Sequence, residues 1–145
     1  MSRSVALARL LGMSRDPYTA WRWLTAAVVV HLIVSVVHGA AHAQARVPLS
    51  PAANFFVFTV IVAGPLLGLL LAWRAERIGN WIVALTMAGA LMFGVVNHFV
   101  RISPDHISHV DPRWRPLFTV SAALLALTEA LAAGLAMRLA TERKR

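Results

Sequence analysis

The chain has 145 residues, 59% of them hydrophobic and only 14% charged, at a mean hydropathy of +0.67. Soluble domains carry about 25% charged residues, so this composition leaves too little polar surface to meet water, and the length allows one domain. The net charge of +8 does not suggest a nucleic-acid binder, because the basic residues flank apolar runs instead of forming one block, and the lack of cysteine excludes disulfides, thiolate metal sites, iron–sulfur clusters, covalently attached c-type haem and a cysteine nucleophile.

Residues 1–15 form a basic leader in which Val5, Leu7, Leu10 and Leu11 are set among Arg3 and Arg9. That pattern suits a short interfacial helix or a frayed tail whose charges set topology. Four apolar runs follow: Leu24–His42, Phe55–Trp73, Trp81–Val100 and Leu117–Met137. Each is near the ~20 residues that cross the hydrocarbon core. With their flanks they predict transmembrane helices over about 20–42, 53–75, 81–101 and 115–138. Asp16-Pro17, Ser50-Pro51 and Asp111-Pro112 each place a capping acceptor before a proline suited to the first helical position. Asn80 is positioned to cap the third span, and Gly79 to end the second. Pro65, after Gly64, should bend the second span or free a carbonyl. Ser103-Pro104 predicts a short helical turn within the outer loop 102–112.

The predicted fold is therefore all-α, an integral membrane four-helix up-and-down bundle in contact with the lipid bilayer. Arg3, Arg9, Arg15, Arg22, Arg74, Arg77, Arg138, Arg143, Lys144 and Arg145 fall on one side, and Arg46, Arg101, Arg113 and Arg115 on the other. The positive-inside rule then puts both termini in the cytoplasm. Trp21, Trp23, Trp73, Trp81 and Trp114 all lie at span ends, where such rings prefer to sit. Thirteen of the fourteen basic residues are Arg in an Ala-rich chain, a composition that points to a bacterial inner membrane. Ala41-His42-Ala43 also reads as a signal-peptide cleavage site, which would leave three spans. The long leader and the two histidines within the apolar run weigh against that.

The six histidines are not scattered. His31, Ser35, His38 and His42 follow at steps of four, three and four, and a seven-residue step returns within about 20° on a helix. They share one face of the first span, and each intramembrane histidine costs free energy unless it finds a partner. His98 ends the third span at the same outer level, and Asp105, His106 and His109 follow in the loop. Glu129 sits within the fourth span at about the depth of His31.

Imidazole with carboxylate suits zinc, iron and copper, so His38, His42, His98, His106, His109 and Asp105 are the candidate metal ligands. A second possibility is haem b, with His38 and His98 as axial ligands and Arg101 beside the propionates. His31 and Glu129 form a candidate acid–base pair. Met87 and Met92 are read as packing residues, and Ser35 and Ser121 lack a triad context. No Walker A, GxGxxG, HExxH or GxSxG motif is present. Two other function classes fit the pattern. One is a non-catalytic subunit or assembly factor, paired with another membrane subunit or a second copy. The other is a proton-coupled carrier or lipid-modifying enzyme that uses His31 and Glu129.

Overall fold

The computed structural model describes residues 17–74 and 76–142, and is helical with no strand among them. The leader 1–15 and the cap Asp16 lie outside the described residues. Four helices make up most of the described residues: α1 (Pro17–Ala45), α2 (Pro51–Ala72), α3 (Glu76–Val100) and α4 (Arg115–Thr141). Each is long and apolar enough to cross a membrane.

Contacts between helix ends fix the directions. Trp21, early in α1, lies 6.2 Å from Trp73, just past α2. His38, late in α1, meets both His98, late in α3, and Ser121, early in α4. Successive helices therefore run antiparallel, as short connections require. The helix α4 packs along both α1 and α3, while α2 leans on α3 and barely touches α1.

The buried seam of α1 runs Leu24, Val28, His31, His38 and His42, at the three- and four-residue steps of a helix–helix interface. It faces Phe118, Ala122, Glu129, Ala132 and Ala136 of α4. The inner half is a closed apolar core built on Leu24, Val28, Val83, Met87, Ala132 and Ala136. Polar seam residues begin only at His31. The outward faces are apolar instead, with Val36 75% and Leu85 66% exposed, the inverse of a water-soluble bundle.

Local sequence explains the ends and the bends. Ser50 caps α2 as expected, its Oγ accepting the Ala53 N–H at 3.2 Å. Before Gly64-Pro65, α2 widens into a π-helical stretch, Val57–Ala63, in which the Gly64 N–H reaches back to the Thr59 carbonyl. Proline has no N–H to offer the Ile61 carbonyl four residues earlier. That carbonyl is taken up by α1, as described below. The last turn of α3, Val96–Val100, is π-helical as well.

Three expectations at helix ends are corrected. Gly79 and Asn80 lie inside α3, which begins at Glu76. A Cβ on Gly79 would meet the backbone of Ala72 and Gly68, so this glycine lets α2 and α3 cross backbone to backbone. Asp111 does not start α4. Its side chain accepts the Arg113 N–H at 2.8 Å in a local turn, and α4 starts at Arg115 with Pro116 in its first turn. The Ser103-Pro104 segment forms consecutive turns, His106 N–H to Ser103 O and His109 N–H to His106 O, without a helix.

Asn80 is fully buried, and neither polar atom of its amide has a hydrogen-bond partner among the described residues. Such a group carries its desolvation cost uncompensated, on the order of 1–3 kcal/mol. Asn80→Leu is therefore expected to raise the thermal midpoint of the purified protein, and a clear drop would contradict this account.

Candidate metal centre

The histidine face of α1 turns inward as its spacing requires. His31, His38 and His42 are all buried. At the outer end, His38 and His42 meet His98 of α3, and each ring offers a nitrogen within 4.8 Å of the others. The ring centroids lie 4.8 Å apart for His38 and His42, 4.9 Å for His38 and His98, and 5.7 Å for His42 and His98.

The hydrogen bonds fix which nitrogen of each ring is free. His98 Nδ1 lies 3.1 Å from the Asp105 carbonyl, and His42 Nδ1 lies 3.2 Å from the Val47 carbonyl. A carbonyl only accepts, so both Nδ1 atoms carry the hydrogen. His38 Nδ1 lies 2.9 Å from Ser121 Oγ. With the single hydroxyl hydrogen of Ser121 on the Leu117 carbonyl at 2.7 Å, its oxygen accepts from His38. In all three rings Nε2 is left as a bare lone pair. His38 Nε2 and His98 Nε2 face each other at 3.2 Å, a spacing at which the three residues could hold a metal ion.

The framework that orients the rings is local. α1 ends in Arg46, whose φ of 54° is left-handed, and the chain doubles back so that Val47 N–H bonds the His42 carbonyl at 3.0 Å. The same reversal brings the Val47 carbonyl onto His42 Nδ1. In the outer loop, Ile107 N–H bonds the His98 carbonyl at 3.1 Å and holds the loop over the end of α3. A small apolar cluster of Ala41, Val47, Val110 and Phe118, with Ile107 and Trp114 against it, closes the outer end of the bundle.

The remaining sequence candidates are placed differently. The Asp105 side chain is 9% exposed, its Oδ1 has no hydrogen-bond partner among the described residues, and it borders the same cavity as the three histidines without belonging to their group. His106 bonds Ser108 Oγ at 2.7 Å, and His109 bonds the Ser103 carbonyl at 2.7 Å; these two rings pair with each other at 6.1 Å, away from the three buried histidines. Arg101 is exposed. Deeper in, His31 Nε2 donates to the freed Ile61 carbonyl at 3.2 Å, and its Nδ1 stands 3.8 Å from Glu129 Oε1.

Sequence reasoning passed over Ser121 and Val47 as orienting partners. The signal for Ser121 was its place in the three- and four-residue seam of α4, between Phe118 and Ala122, at the depth of His38. Val47 acts through its backbone, on which side-chain identity carries no information.

From the three histidines a cavity of about 270 Å³ runs inward to Glu129, with mostly apolar walls that include Val57, Ile61, Phe93 and Leu125. No family model, curated protein or solved structure matches this chain.

Proposed function

We propose that this is an integral membrane protein that binds one transition-metal ion through Nε2 of His38, His42 and His98. The observation that supports it is the proton pattern. Nδ1 of His38, His42 and His98 is anchored on Ser121, Val47 and Asp105, and each of the three rings offers a nitrogen within 4.8 Å of the others. Metal-binding histidines are oriented in this way by a second hydrogen bond. Imidazoles on one tetrahedral ion place their nitrogens about 3.3–3.4 Å apart and their ring centroids about 5 Å apart. The 3.2 Å nitrogen separation and the 4.8 and 4.9 Å centroid spacings around His38 agree with such an ion, and His42 and His98 stand wider at 5.7 Å.

The same numbers favour a bare ion over haem b. Axial imidazoles on opposite sides of an iron stand about 4 Å apart, nitrogen to nitrogen, with a flat macrocycle between them. Here the two nitrogens are closer, and His42 and Phe118 pack against both rings. Zinc, copper and iron all suit an all-imidazole set. Three protein ligands leave further coordination positions toward the cavity, the arrangement of sites that handle or transform something instead of merely bracing a fold. Asp105 is placed to hold a water or a second donor there.

We place the centre near the outer face of a bacterial inner membrane, with both termini cytoplasmic, because Arg22, Arg74, Arg77 and Arg138 gather at the opposite end of the bundle. A proton-coupled carrier using His31 and Glu129 would need a route to both faces, and the packed core from Leu24 to Met87 favours a one-sided site instead.

The test is metal analysis of the full chain purified in detergent. One ion per chain is expected, with no haem absorption band. Each imidazole binds either a proton or the metal, so affinity should fall steadily as the pH is lowered and return on neutralisation. Protein that comes out metal-free and then fails to take up zinc, copper or iron at neutral pH overturns the proposal.

A further inference from the structure

The inner end of the cavity contains a second set of unmet polar atoms. Glu129 is 2% exposed and its Oε2 has no hydrogen-bond partner among the described residues. His31 donates through Nε2 to Ile61, which leaves its Nδ1 as a bare acceptor, also without a partner. At 3.8 Å from Glu129 Oε1 this nitrogen is beyond hydrogen-bonding distance of the carboxyl group. Thr128 is committed to the Leu124 and Leu125 carbonyls, and Gly94 of α3 lies against the carboxyl. Polar atoms so placed are costly unless something supplies both a donor and an acceptor.

The way in is lateral. The core around Val28 and Met87 packs the inner end, and the outer rim of the cavity carries Leu49 and Asn54 beside the cluster around Val47, Val110 and Phe118. The outer half of α2 leans on α3, through Phe56 stacked on Phe93 at 4.6 Å, and has no broad contact with α1. Between α1 and α2 the cavity is bordered by Gly39 and Phe58, both exposed on the face that a bilayer would cover. A Cβ on Gly39 would meet nothing within 4 Å.

We propose that this cavity binds a lipid-dissolved molecule with an apolar chain and a hydroxyl head, which enters between α1 and α2 and places its hydroxyl between Glu129 and His31. With Glu129 as the neutral acid, its free oxygen donates to the hydroxyl oxygen and the hydroxyl donates to Nδ1 of His31, so one hydroxyl satisfies both. The walls between the portal and the carboxyl are hydrocarbon and match the chain. The site shares its cavity with the metal centre but does not depend on metal being bound.

The test uses the full chain in lipid nanodiscs and two photoactivatable probes, a diazirine-bearing decanol and the matching decane. After illumination, the labelled residues are mapped by mass spectrometry. The alcohol is expected to label Phe58, Ile61, Phe93 and Leu125 saturably and to be displaced by plain 1-decanol. The decane should label lipid-facing positions such as Val36 and Leu127 without saturation. Glu129→Leu should reduce cavity labelling by about three- to ten-fold, the loss expected for one neutral hydrogen bond. Gly39→Leu, which fills the portal without touching Glu129, should do the same, and it carries the test alone if the first variant fails to fold. Labelling should be unchanged after chelation, so a failed metal assay leaves this result standing. Equal labelling by both probes, or cavity labelling indifferent to Gly39→Leu, overturns the proposal.

Discussion

His38→Ala is expected to strip the metal from the purified protein while leaving the bundle folded. His38 lies at the middle of the group. It faces His98 at 3.2 Å, packs against His42, and is oriented by Ser121 from α4. Removing it leaves two rings with no third nitrogen to complete the set. Ser121→Ala is the more informative companion, because it keeps all three ligands and removes only the acceptor that fixes the His38 tautomer. Loss of such an orienting partner weakens metal affinity by roughly 10–100-fold. The expected order of affinity is therefore wild type, then Ser121→Ala, then His38→Ala with the largest loss. Chelator competition monitored by metal content measures it. His106→Ala and His109→Ala should leave affinity unchanged, since both rings are held by loop partners. Equal losses from loop and buried histidines would mean that the ion sits elsewhere.

The second large effect falls on a residue with no chemistry at all. At Gly79 an added Cβ would run into the backbone nitrogen and Cα of Ala72 and the carbonyl of Gly68. Backbone cannot swing aside as a side chain does, so α2 and α3 must separate. Overpacking of this kind costs about 1–3 kcal/mol, occasionally more. Gly79→Ala is expected to lower the thermal midpoint markedly, and Gly79→Leu to prevent assembly. Gly134 supplies the control, because a Cβ there meets nothing within 4 Å. Gly134→Ala should be neutral or mildly stabilising, as Ala has the higher helix propensity. If Gly79→Ala melts like wild type, the close crossing of α2 and α3 is wrong.

What the sequence made readable follows from periodicity and from proline. Hydrophobic runs gave four helices because crossing a bilayer needs length and apolarity, both local properties. The face shared by His31, His38 and His42 was readable because helical geometry alone sets it. The carbonyl freed by Pro65 was also foreseeable, since proline lacks the N–H; that His31 would use it was not. Gly79 and Asn80 misled for a different reason. Both residue types favour helix ends in water, but close packing against Gly68 and Ala72 overrode that preference here. His106 and His109 read as ligands by composition, and the loop gives them a serine and a carbonyl as partners, which composition does not reveal. Convergence of His98 on α1 depended on how α3 and α4 pack, which no local pattern encodes.

The depth of Glu129 has an electrical consequence. From Ser121, level with the three histidines, to Glu129 is eight residues along α4, about 12 Å at 1.5 Å per residue. Against a hydrocarbon thickness of ~30 Å, a positive charge moving between these levels spans about 40% of the transmembrane voltage. That is worth about 1 kcal/mol per 100 mV. Proton occupancy at Glu129 would therefore respond to the energised state of the membrane, whereas an ion held by His38, His42 and His98 would hardly sense it.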